Sequence, residues 1–294
     1  MYSAKFSVKL SSRIEDVDML LLDKREILEK IAREVRYQII EMSKLGKAAH
    51  LGSSLSCADL VIAAYSHFLR ISPDAPKDPG RDRFFLSKGH AITTLYAVLA
   101  QRGFFPSALL STFNQNGGCL PEHPTPQCVP GVEIATGSLG HGLSIGIGHA
   151  LASKIQGIPY RVMVMMSDGE CNEGSVWEAA LFAPVHKLDN LIAIVDFNKW
   201  QATGRSEQIM QLSPFKEKWE AFGWKTYEIN GNSFEEILDV FSKIPEAPGK
   251  PTAIIAHTVK GKGVSFMEDD NNWHYRIPND EELRQAKQEL GLCP

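Results

Sequence analysis

The chain has no run of 18 apolar residues, which excludes a hydropathic transmembrane helix. Its most leader-like stretch, Met19–Leu22, is four residues between Asp18 and Asp23, too short for a secretory leader. Cysteine is scarce: Cys57, Cys119, Cys128, Cys171 and Cys293 are odd in number and never at CxxC spacing. That excludes a disulfide framework or a zinc knuckle and predicts a cytoplasmic protein whose thiols are mostly buried. Cys171 is read as packing. Excess charge of one sign is also missing, since the net charge is −4. Nothing therefore points to nucleic acid or an anionic membrane surface as a partner. No internal repeat, low-complexity tract or nucleophile elbow is found.

What is present is a large α/β composition, 294 residues with 44% hydrophobic and 22% charged, enough for one substantial domain with extensions. Residues 1–23 show little periodicity and are expected to be an extension of a domain spanning 24–294. From Lys24 to Lys44 an apolar stripe of Ile27, Ile31, Val35, Ile39 and Met42 predicts a helix stopped by Gly46.

The chain is organised around residues 162–204. Val162–Met166 is an apolar run of buried-strand length, ending at Ser167-Asp168-Gly169. Val176, Ala179, Ala180 and Ala183 have helical spacing, with Pro184 as the stop, and Leu191–Val195 is a second buried strand ending at Asp196-Phe197-Asn198. One strand–helix–strand crossover brings Asp168 and Asn198 together at the carboxyl edge of a parallel sheet, where ligands bind. A carboxylate, an amide oxygen and a nearby carbonyl form a hard-oxygen set suited to Mg2+ or Ca2+. Gly169 and Gly174 let the backbone approach a diphosphate.

Four other stretches carry polar residues in loops beside predicted elements. His50 lies in a loop before a helix capped by Ser54 or Ser56 and running through Tyr65 and Leu69. Phe84–Leu86 is a short strand, and Ser87–His90 opens a helix whose free N–H groups suit an anion. Residues 117–131 form a loop stiffened by four prolines around His123. Gly137-Ser138-Leu139-Gly140-His141 leads into a small-residue helix, Ile145 to Ala152. Beyond a polar loop at Gln201–Ser213, helices at Phe215–Phe222 and Phe234–Ile244 alternate with strands at Lys225–Ile229 and Thr252–His257. The chain then passes through Thr258–Gly263 and Asn272-Trp273-His274-Tyr275 to a charged helix at Asp280–Leu290.

Taken in order, these motifs resemble transketolases over roughly residues 24–278. The central stretch resembles their thiamine diphosphate motif, with Ser167 at the first glycine and Phe197-Asn198 where many relatives have Asn-Asn. The resemblance implies a parallel sheet flanked by helices, the thiamine diphosphate fold of the diphosphate-binding type. It implies that Asp168, Asn198 and the carbonyl of Trp200 hold the metal, and the metal the diphosphate. His90, Gly169 and the loop Gly137, Ser138 and Leu139 then contact the cofactor, with His141, where many relatives have Gln, as a further contact. Glu173, on the diphosphate side, resembles a glutamate at the subunit interface. His50, His123 and His274 bind and protonate sugar oxygens, and His274, followed by Tyr275 rather than Gly, also approaches the diphosphate.

Full-length transketolases continue into a pyrimidine-binding domain, with the glutamate that activates the cofactor, and a third domain. The resemblance therefore implies the amino-terminal subunit of a split transketolase, working on small sugars with a C-terminal partner subunit, most simply as a heterotetramer. The α subunit of a 2-oxo acid dehydrogenase is the alternative enzyme, disfavoured by the histidine set. A non-catalytic cofactor-binding protein is the alternative of another class, and a fragment of a 1-deoxyxylulose-phosphate synthase is weaker still.

Overall fold

The computed structural model describes residues 4–126 and 128–293, with side chains described from residue 24 onward. The regular elements, in chain order, are α1 (Ala4–Gly46), α2 (Leu51–Ser56), α3 (Ala58–Ala63), β1 (Arg83–Leu86), α4 (Ile92–Gln101), α5 (Gly142–Gln156), β2 (Val162–Ser167), α6 (Gly174–Val185), β3 (Leu191–Phe197), α7 (Ser206–Ile209), α8 (Phe215–Ala221), β4 (Lys225–Asn230), α9 (Phe234–Ser242), β5 (Thr252–His257) and α10 (Asp280–Glu289). All five strands are parallel, in the order β1-β2-β3-β5-β4.

The continuous apolar runs follow from burial of the sheet on both faces. Met163 and Met165 of β2, with Ile192 and Ile194 of β3, join the core against α1, α3, α4 and α9. Val162, Val164 and Met166, with Leu191, Ala193 and Val195, join the core against α5, α6 and α8. The strand's two-residue period sends alternate side chains into the two layers. Ser167 stands beside Asp196 in the β2–β3 register, so one crossover does bring Asp168 and Asn198 to the same edge.

Three local expectations change. The first helix begins at Ala4, ahead of Lys24, so the boundary at residue 23 falls inside a continuous α1. Its buried stripe is Leu28, Ala32, Val35, Ile39 and Met42, whereas Ile27 is 59% exposed. A stripe through Leu28 follows the helical repeat, and Ile27 lies outside it. Neither Ser54 nor Ser56 caps a helix. Both lie inside α2, whose N-cap is His50, and a new helix starts after Cys57. The Ser54 hydroxyl donates back to the His50 carbonyl (3.3 Å), a use that competes with capping. The polar loop after β3 also contains one short turn of helix, α7.

Candidate functional site

The loops leaving the carboxyl ends of β1, β2, β3 and β5 meet at one place. Asp168 follows β2 and is fully buried. Its Oδ2 accepts from the Lys199 amide (3.0 Å) and the Ser206 hydroxyl (2.7 Å), while its Oδ1 is buried without a partner. Burial pushes its pKa up to about 6 against the hydrogen bond from Ser206. A carboxylate held at one oxygen and bare at the other, in a dry setting, fits a divalent cation.

Asn198 follows β3 and is 2% exposed. Its Nδ2 donates to Asp196 (3.1 Å) and its Oδ1 accepts from the Trp200 amide (3.1 Å). The Trp200 indole donates to Asp269 (2.8 Å), and the Arg205 guanidinium stacks on the same indole 3.8 Å from its centre. Among the described residues no group of three His, Cys, Asp or Glu side chains converges on a metal position. The polar groups the structure brings together here are instead one buried carboxylate and one buried amide. Glu170 Oε2 and Gln201 Nε2, close by in the chain, are likewise buried without partners. Of these groups, the buried and bare Asp168 Oδ1 is the one that fits a cofactor arriving with a divalent cation.

Four histidines gather beside it. The His50 ring centre lies 5.2 Å from that of His90, 6.2 Å from His123 and 4.7 Å from His274, and His90 lies 5.9 Å from His274. His50 has left-handed backbone, φ 68°, held by its amide donating to the His274 carbonyl (2.8 Å). Gly137 has φ 129°, and a side chain there would put its Cβ 2.7 Å from the His123 ring, so only glycine permits this approach. Ser138 is exposed, and Gly137 and Leu139 are half-buried. His141 is exposed as the residue before α5. Glu173 is exposed at the start of α6, and Gly169 is half-buried after Asp168.

Burial lowers the pKa of His50, His90 and His274, with help from the Lys88 charge at His90 and the Lys260 charge at His274, which falls to about 3. The unfolded rings titrate near 6.5, so this contribution to stability is complete above pH 6.5 and is lost as pH falls toward the folded values. Partial solvent screening holds it to about 1 kcal/mol or less per ring at pH 5.5. Between pH 7.5 and 5 this loss runs against the opposite contribution of Asp168, whose raised pKa favours the fold as pH falls, so the comparison is between proteins. In melting curves of the cofactor-free chain, His274→Gln should lose less stability on acidification than the wild type. A slope identical in both proteins would contradict the assignment.

Sequence reading passed over four groups. Lys88 and Asp196 form a fully buried ion pair. Asp196 also accepts from the Ser56 (2.6 Å) and Thr258 hydroxyls, tying β3 to α2, which follows His50, and to the loop that carries Lys260. Glu170 accepts from the Ser87 hydroxyl and from the Gly140 amide (2.9 Å), fastening the glycine loop to the loop after β1. Lys260, 1% exposed, reaches His274. The available signal was charged residues placed at strand ends beside glycines, a pattern that surface turns share.

Residues 27–294 match the family model described as "Transketolase, thiamine diphosphate binding domain". The chain belongs to the transketolase family. It is 42% identical to an apulose-4-phosphate transketolase subunit of Phocaeicola vulgatus, over 90% of this chain and 94% of that one. It is also 42% identical to a 6-deoxy-6-sulfo-D-fructose transketolase subunit of a Clostridium species, over 85% and 90%. Among solved structures, the transketolase of Campylobacter jejuni superposes with a TM-score of 0.85 at 32% identity, over 90% of this chain and 43% of that one. The chain thus spans less than half of this solved transketolase but nearly all of the two subunits. Among the described residues no helix is long and apolar enough to cross a membrane.

Proposed function

We propose that this chain is the thiamine diphosphate-binding subunit of a two-subunit transketolase, transferring a two-carbon ketol unit from a ketose to an aldose. The supporting observation is that the buried Asp168–Asn198 pair and the His50, His90, His123 and His274 cluster occupy one sheet edge. The relatives of subunit length are named for a sugar phosphate and a sulfonated sugar, so the proposed donor is a ketose with an anionic tail. Residues 24–294 form the cofactor domain, with 1–23 ahead of it, and the expected location is the cytoplasm.

Asp168, Asn198 and the Trp200 carbonyl would hold Mg2+ or Ca2+, and through it the diphosphate. His90, Gly169, His141 and the loop Gly137, Ser138 and Leu139 would line the cofactor, and Glu173 would face the partner subunit. Thiamine diphosphate, when bound, supplies a nucleophilic carbon and an electron sink. The protein's task is to orient the sugar and move protons. Neutral imidazoles suit this near pH 7, and burial keeps His50 and His274 uncharged. His50, His123 and His274 would contact sugar oxygens.

With the partner present, His50→Ala and His274→Ala should each lower turnover by about 10²-fold and leave cofactor affinity largely intact. His90→Ala should instead weaken the cofactor. Steady-state ketol transfer and calorimetry separate the two effects. Unchanged transfer in all three variants, or acyl transfer to lipoamide in place of ketol transfer, would overturn the proposal.

A further inference from the structure

Lys260 sits where a buried ammonium meets a chain of imidazoles. Its Nζ donates to Asn271 Oδ1 (2.6 Å) and lies 3.3 Å from His274 Nδ1. Asn271 is itself oriented by donating from Nδ2 to the Ala202 carbonyl (3.0 Å). The lysine stem packs against Gly52, where a Cβ would come within 3.0 Å of Lys260 Cγ. On the far side of His274, Nε2 lies 3.2 Å from His50 Nδ1. Three side chains from three separate loops thus form one line: Lys260, His274, His50.

An ammonium has only protons to offer, so His274 Nδ1 must accept. A neutral imidazole carries one proton, which then resides on Nε2 and is donated to His50 Nδ1. His50 in turn has its own proton on Nε2. Without Lys260 the same two rings satisfy their contact equally well in the reverse sense, with His50 Nδ1–H donating and His50 Nε2 an acceptor. The contact between the rings is therefore ambiguous, and the lysine decides it.

We infer that Lys260 is a positioning residue that fixes the tautomers of His274 and His50, so that His50 presents Nε2–H as a hydrogen-bond donor to a sugar oxygen. The sugar part rests on the transketolase reading, while the tautomer part does not. In this arrangement neutral His50 is a donor at Nε2 and not a base there. A proton leaving His50 Nε2 for an alkoxide is replaced at Nδ1 from His274 Nε2, and that one at His274 Nδ1 from Lys260. The relay ends with a neutral lysine, both rings neutral with tautomers reversed, and a hydroxyl on the sugar. Burial holds Lys260 down to about 8, consistent with an ammonium that remains charged at pH 7 and still yields its proton.

The test reads the tautomers directly. Long-range proton–nitrogen spectra of the whole chain, labelled at histidine and without cofactor at pH 7, are assigned with His50→Gln and His274→Gln. The expected wild-type result is Nε2–H at both rings. Lys260→Met, close in shape but without protons to donate, should mix or reverse the tautomers. Lys260→Arg should keep them. In the assembled enzyme, Lys260→Met should lower kcat about 10- to 100-fold, the low end for a positioned proton donor. With cofactor saturating, KM for the sugar should stay within about threefold, well under the tenfold that 1.4 kcal/mol represents. Lys260→Arg should recover part of the loss. An Nδ1–H His50 in the wild type overturns the inference, even if Lys260→Met fails to fold, and so do unchanged tautomers in a folded Lys260→Met. Absence of ketose turnover by the assembled wild type would instead count against the transketolase reading, with the spectra still deciding the role of Lys260.

Discussion

The purified chain alone, given thiamine diphosphate and Mg2+, is expected to transfer no ketol unit, and mixing with its partner subunit should restore both cofactor affinity and turnover. The proposed cofactor contacts in this chain all belong to the diphosphate side, at the ends of β1, β2, β3 and β5. The proposal assigns the pyrimidine side, including the activating glutamate that the resemblance places in another domain, to the partner subunit. A ligand left half in water loses a large share of the contacts that must exceed its ordering cost. The helices that run back from the site also expose apolar side chains toward their far ends. Ile155 on α5 is 77% exposed, and Leu181, Phe182 and Val185 on the adjoining α6 are 54%, 43% and 77% exposed. Apolar side chains clustered on neighbouring helices are what a permanent interface buries. Two copies of each chain, related by a two-fold axis, are the simplest closed assembly. A coupled ketol-transfer assay with sedimentation of the mixture measures both expectations. Full transfer by the isolated chain would refute the split-subunit proposal.

Asp168→Asn is expected to remove metal-dependent cofactor binding without unfolding the protein. The wild-type carboxylate is anchored through Oδ2 and leaves Oδ1 buried and bare, an arrangement that burial opposes unless a cation is present. The amide keeps the shape and the anchoring acceptor but loses the charge. Because outer-shell contacts alone account for about 10- to 100-fold in metal affinity, loss of the ligand charge should cost at least about 100-fold in thiamine diphosphate affinity at saturating Mg2+. The metal-free variant should melt no lower than the wild type, since an unpaired buried charge has been removed. Calorimetry with the partner present, and melting curves without metal, give the two readings. Wild-type cofactor affinity in Asp168→Asn would sink the metal assignment.

The strands were legible in the sequence because a parallel sheet covered on both faces needs unbroken apolar runs, and Val162–Met166 and Leu191–Val195 are such runs. The meeting of Asp168 with Asn198 was legible too, because one crossover between neighbouring strands leaves both residues at the same edge. Composition set the scale of the core, and ordered motifs pointed to the family. Local sequence was a poorer guide to the details around His50. Ser54 and Ser56 have capping chemistry, but the helix is set one turn earlier by the left-handed His50, and that backbone is held by a carbonyl from residue 274. The buried hub of Lys88 and Asp196, and the line from Lys260 through His274 to His50, were invisible for the same reason. Their partners lie on strands and loops far apart in the chain, and periodicity reports only which side of an element is buried. Which buried charge meets which polar atom depends on the packing of the loops at the sheet edge, so pairing, burial and the direction of hydrogen bonding at the histidines were decided by the tertiary structure.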